Sequence, residues 1–131
     1  MDLLEYSYVQ IFYISITLPK TATFIPLTCC WYLIGQNITL KNGYYQPGPG
    51  QATFNSFIYD KASLTATMLQ MTVASQHDAN TKGVEWLRNQ GATNFRLVAV
   101  TPPETSLDLQ IPNTLVPLIS EVYNLILQAI I

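Results

Sequence analysis

Aromatic and β-branched residues crowd the first forty positions, and the run Tyr8-Val9-Gln10-Ile11-Phe12-Tyr13-Ile14-Ser15-Ile16 has the composition of a strand. Turn chemistry follows at Lys41-Asn42-Gly43 and at Gln46-Pro47-Gly48-Pro49-Gly50-Gln51, on either side of Tyr44-Tyr45. Asn-Gly and Pro-Gly pairs supply the positive φ and the fixed φ that tight turns need. A β-prone run over residues 52–60, the polar break Lys61-Ala62-Ser63 and a second apolar run over residues 64–74 predict a β-hairpin. The second run alternates poorly, as a strand buried on both faces does.

The period then changes. Residues 78–91 predict a helix with a polar start, Val84 and Leu87 on one face, and Gly91 placed to end it in the left-handed conformation. Gly83 inside that helix allows close approach to a sheet. Phe95-Arg96-Leu97-Val98-Ala99-Val100 is an apolar strand stopped by Pro102-Pro103, so strand, helix and strand make a parallel crossover unit, expected to be right-handed. An edge-like strand is expected at Leu107-Asp108-Leu109-Gln110-Ile111. Beyond it, Asn113 is placed as an N-cap. Leu115, Leu118, Ile119, Val122, Leu125, Ile126 and Ala129 recur at helical spacing, which predicts a C-terminal helix with a core-facing stripe.

Composition narrows the classes. In 131 residues, 49% are hydrophobic and only 11% charged, which argues for one packed core and against disorder. The formal charge of −2 gives no net attraction to nucleic acid, so DNA binding would need a local basic patch, and Lys82, Arg88 and Arg96 are few for that purpose. Residues 6–40 carry one charge, Lys20, yet Pro19, Pro26 and many Thr and Ser interrupt them, and the start is acidic at Asp2 and Glu5. Buried or edge strands fit this stretch better than a spanning helix, a leader peptide or an irregular extension. Cys29 and Cys30 are adjacent, which permits only a strained vicinal disulfide, and lack Cys-x-x-Cys spacing; a reduced, intracellular chain with packed cysteines is expected.

Candidate chemistry is sparse. The single histidine, His77, stands where the apolar strand gives way to the helix, the place of a capping or loop-anchoring residue. A triad of His77 with Ser56 or Ser75 and Asp78 lacks a Gly-x-Ser-x-Gly elbow. The glycines of residues 43–50 precede no Gly-Lys-Ser or Gly-Lys-Thr, which excludes a phosphate loop. Metal-dependent phosphodiester cleavage needs carboxylates for Mg²⁺ and a Lys or equivalent to orient water. The hairpin offers Asn55 or Asp60 on its first strand and Gln70-Met71-Thr72 on its second. Asn55 and Gln70 can donate neutral amide oxygens to a hard cation, whereas Thr72 cannot replace an ammonium. Asp60 and Glu85 are the carboxylates that could serve as metal ligands nearby, with Lys82 as an added cation.

The run Phe54-Asn55-Ser56-Phe57, then Leu69-Gln70-Met71-Thr72-Val73, His77, Gly83-Val84-Glu85-Trp86-Leu87 and Val98-Ala99-Val100-Thr101-Pro102 resembles the C-terminal domain of fungal and oomycete Crinkler-type and retrotransposon-hotspot-like proteins. The resemblance spans residues 43–126. It implies a restriction-endonuclease-like αβββαβ core, in which an Asp-Ser-Phe-like first strand and a Leu-Gln-x-Thr second strand carry the nuclease position. Such domains are often fused to an upstream NTPase module, which these 131 residues do not include. Asn55 stands where the resemblance puts an Asp, which implies a degenerate catalytic site at Asn55, Gln70, Thr72 and His77.

Together these readings predict an α/β fold: a small mixed β-sheet with a βαβ crossover and a C-terminal helix, built on a restriction-endonuclease-like core. Residues 1–42 form an apolar N-terminal extension or edge strands, and residues 43–131 form the α/β domain. The function expected is that of a degenerate, inactive nuclease-fold domain of mobile-element or effector-like origin, with a nucleic acid or protein partner. No cofactor is expected, apart from Mg²⁺ if the site survives. The alternative is a membrane-associated or oligomeric interaction protein. A homo-oligomer through the C-terminal helix is the expected assembly, and membrane binding is disfavoured.

Overall fold

The computed structural model describes residues 6–7, 11–18, 28–33, 35–48, 56–71, 76–78, 81–103 and 108–129. In chain order the elements are β1 (Tyr6–Ser7), β2 (Phe12–Leu18), β3 (Cys29–Tyr32), β4 (Gly43–Pro47), β5 (Ser56–Asp60), β6 (Thr65–Met71), β7 (Gln76–Asp78), α1 (Thr81–Asn89), β8 (Asn94–Thr101), β9 (Asp108–Pro112) and β10 (Ile119–Ala129). Seven strands form one sheet in the order β2-β10-β8-β6-β5-β4-β3, and three form a second in the order β1-β9-β7. In the larger sheet β2, β10, β8 and β6 run parallel, β5 is antiparallel to both β6 and β4, and β3 is parallel to β4.

Period-two burial builds one core face on this sheet. Along β8, Phe95, Leu97, Ala99 and Thr101 are buried, while Asn94 and Arg96 are exposed. Register places Ala66 of β6 beside Phe95 and Met68 beside Leu97, and across the hairpin Tyr59 and Phe57 of β5 stand opposite Ala66 and Met68. These side chains therefore share a face. Tyr45 extends the face onto β4, where its ring stacks on Phe57 at 4.7 Å between centroids. Val122 of β10 completes it beside Leu97.

α1 packs on this face. Gly83, Val84, Trp86 and Leu87 are buried, whereas Lys82, Glu85, Arg88 and Asn89 are exposed. Trp86 stacks on Tyr32 at 5.2 Å and meets Phe57 edge-on at 6.5 Å. The helix ends as its sequence predicts. Gly91 has φ +111°, Gly91 N–H donates to Arg88 O at 3.0 Å, and Ala92 N–H donates to Leu87 O at 3.1 Å. That pair of bonds closes the last turn on a left-handed residue.

The expected crossover is present, since β6 and β8 are adjacent and parallel with α1 between them in the chain. Its entry differs from the sequence reading. Asp78, expected in the helix, belongs to β7, which pairs with β9 in the smaller sheet, and α1 begins only at Thr81. The expected edge-like strand near residue 109 is β9, and it is the central strand of that sheet rather than an edge.

The expected C-terminal helix is not there. Residues 113–118 form turns, with Leu115 N–H bonded to Pro112 O at 2.9 Å and Ile119 N–H to Leu115 O at 3.1 Å, after which the chain extends as β10. Asn113 thus sits in a turn and caps no helix. β10 lies between β2 and β8, so both of its edges carry ladder hydrogen bonds. Ile119, Val122, Leu125, Ile126 and Ala129 satisfy helical spacing even in an extended chain. β-branched and aromatic residues at Ile119, Val122, Tyr123 and Ile126 favour the extended form. A homo-oligomer through a C-terminal helix has no element to form it.

The apolar N-terminal stretch enters both sheets. β1 pairs with β9, while β2 and β3 occupy the two outer edges of the larger sheet. Among the described residues, no helix is long and apolar enough to cross a membrane. Cys29 is exposed and Cys30 half-buried, both free, on successive positions of β3 that point to opposite faces.

Candidate functional site: buried amides across the parallel strands

Three of the buried polar residues of this core, Gln70, Thr101 and Asn124, lie near the carboxyl ends of β6 and β8 and at the middle of β10. Gln70 of β6 stands beside Ala99 of β8, which stands beside Asn124 of β10. The three are 2%, 1% and 1% exposed, and Thr101, one step further along β8 on the same face, is 2% exposed. An amide in an apolar strand needs partners. Asn124 Nδ2 finds two, donating to Ala99 O at 3.1 Å and to Thr101 Oγ1 at 2.9 Å. These bonds fix the orientation of the amide and leave its oxygen uncommitted. Asn124 Oδ1 and Gln70 Oε1 have no hydrogen-bond partner among the described residues. A buried acceptor left without any partner costs about 1–3 kcal/mol of stability.

Of the site residues expected from sequence, Gln70 is therefore buried on the core face at the end of β6. Asn55 and Thr72 lie outside the described residues. The backbone of His77 lies in β7, opposite Leu109 of β9, in the smaller sheet rather than at a helix start; its side chain lies outside what is described. Ser56, its possible triad partner, belongs to β5 of the larger sheet, and Ser75 lies outside the described residues.

The two expected carboxylate ligands are elsewhere. Asp60 pairs with Thr65 at the opposite end of β6 from Gln70, five residues away along the strand. At about 3.3 Å per residue that is roughly 16 Å. Its carboxylate is engaged in the hairpin turn, accepting from Ser63 Oγ at 2.7 Å and from Ala62 N–H at 3.3 Å. Glu85 is exposed on the outward side of α1. Among the described residues, no group of three or more His, Cys, Asp or Glu is gathered where a metal ion could be held.

The other face of the sheet carries a charged cluster that the sequence reading missed. Arg96 Nε donates to Glu121 Oε1 at 3.0 Å, and Tyr123 Oη donates to Glu121 Oε2. The Tyr123 hydroxyl, with Arg96 adding, holds the Glu121 carboxyl below its ordinary value, and the same bond pushes the Tyr123 phenol up. Thr67, Arg96, Val98, Tyr123 and Leu125 line an open groove of about 280 Å³ beside it. Reading residues 119–126 at period two would have put Glu121 and Tyr123 on one face, while their place beside Arg96 comes only from strand register. A lone Asn within that apolar run was likewise the available signal for Asn124.

The chain matches no protein-family model, no curated protein and no solved structure.

Proposed function

We propose that this chain is a degenerate nuclease-fold domain of mobile-element or effector-like origin that acts by binding a nucleic acid or protein partner rather than by cleaving one. In the larger sheet β4, β5, β6 and β8 are successive neighbours, and α1, preceded in the chain by the short β7 of the smaller sheet, joins β6 to β8, an arrangement that supports the scaffold. It is the βββαβ part of the core that the resemblance implies. The observation that carries the loss of catalysis is Gln70, a neutral amide with its oxygen unpartnered, at the strand position where a cleaving enzyme carries Glu. An amide oxygen brings no negative charge to a divalent cation and accepts no proton from water near neutral pH.

Calorimetric titration of Mg²⁺ and Mn²⁺ into the full chain tests this reading, with wild type compared to the double variant Asn55→Asp, Gln70→Glu. Metal binding by the double variant alone is the expected result. Chelator-sensitive cleavage of DNA or RNA by the wild type would overturn the inactive assignment, and a double variant that folds but binds no metal would remove the nuclease scaffold.

A second reading has one observation in its favour. Trp31, on the outer strand β3, is 63% exposed beside the exposed Cys29, and Trp is among the side chains enriched as anchors of protein interfaces. An oligomeric interaction protein would lose its assembly, seen by light scattering, on Trp31→Ser.

A further inference from the structure

Two side-chain oxygens, Gln70 Oε1 and Asn124 Oδ1, are removed from bulk water on the core face and have no hydrogen-bond partner among the described residues. Native proteins seldom leave such acceptors unpaired, and those that remain call for an explanation. Register supplies one. The residue between them is Ala99, whose methyl group is the smallest side chain of the row, so the space above it is within reach of an amide from each neighbouring strand. Because Asn124 Nδ2 is committed to Ala99 O and Thr101 Oγ1, the amide cannot turn to offer a donor instead.

The chemistry of an occupant follows from two neutral acceptors and no described charge. An anion would set lone pairs against lone pairs. A divalent cation lacks the carboxylates that offset its dehydration. What fits is a compact group with at least two N–H or O–H donors. We propose that Gln70 Oε1 and Asn124 Oδ1 together hold one small neutral hydrogen-bond donor above Ala99, a water molecule. This site does not depend on nuclease ancestry, since it rests on the unpartnered oxygens and on strand register alone.

The thermal midpoint of the full chain is compared between wild type and Gln70→Met, which keeps side-chain length and removes the acceptor. A held donor loses a partner, and the midpoint falls by about 4 °C. If Oε1 is merely an orphan, its replacement by an apolar group raises the midpoint, and that result overturns the proposal. A second readout separates the expected fall from a packing effect: a water occupant gives a persistent nuclear Overhauser contact between water and the Ala99 methyl in wild type, lost in Gln70→Met. Should Gln70→Met fail to fold, the wild-type contact decides, and its absence overturns the site.

Discussion

Trp86 donates its indole N–H to the carbonyl of Gln36 at 3.0 Å, which ties α1 to a segment fifty residues earlier. One turn later, Gln90 Oε1 accepts from Ile38 N–H at 2.8 Å. The two bonds hold residues 36–38 along the helix, while the Trp86 ring itself packs on Tyr32 and Phe57. A single side chain thus links the helix, the outer strand β3 and the central hairpin.

Trp86→Phe keeps an aromatic ring but loses both the N–H and part of the buried volume. The expected destabilisation is about 2 kcal/mol, combining one hydrogen bond with incomplete packing. Urea denaturation followed by far-ultraviolet circular dichroism measures it, and an unchanged midpoint would show that the link to Gln36 carries no stability.

Gly43 opens β4 at φ +156°, and a Cβ there would lie 2.7 Å from the carbonyl oxygen of Thr28. That oxygen accepts from Tyr44 N–H at 2.8 Å, so it cannot move aside without breaking a backbone bond between β4 and the approach to β3. Gly43→Ala is expected to cost about 2–3 kcal/mol through clash and backbone strain together. Gly91→Ala is the control: at φ +111° it is strained, but no atom lies within 4 Å of the added carbon, and about 1 kcal/mol is expected. Equal losses in the two variants would mean that contact with Thr28 adds nothing to the strain.

Stability should fall at both ends of the pH scale for different reasons. The Tyr123 hydroxyl and Arg96 lower the Glu121 carboxyl from its ordinary 4.5, so its contribution is present above that value and lost as pH falls through the depressed one. Tyr32, raised by burial with Tyr44 adding, and Tyr123, raised chiefly by Glu121, contribute fully below their ordinary 10.0 and lose that contribution as pH climbs through their raised values. Thermal midpoints measured across the acid limb should therefore change less steeply in Tyr123→Phe than in wild type. An identical acid limb in both proteins would show that the Tyr123 bond does not act on Glu121.

Where signals were local, they were legible in the sequence. The break at Lys61-Ala62-Ser63 marks the hairpin turn, in which Asp60 and Ser63 bond one another. Val84 and Leu87 mark the inward side of α1, Gly91 its end, and Phe95 and Leu97 the core face of β8. Each of these follows from side-chain spacing or from the conformational freedom of one residue.

Tertiary structure decided the rest. The apolar residues among 119–129 recur at helical spacing, and only the ladders to β2 and β8 select the strand. Once it is a strand, Asn124 falls on the core face in line with Gln70, and Glu121 falls on the opposite face within reach of Arg96. The same pairing places Asp60 and Gln70 at opposite ends of β6, a separation that chain proximity cannot reveal. Local composition determines where the chain turns and which residues seek burial; which polar groups meet depends on non-local strand register, and that is determined only when the whole sheet assembles.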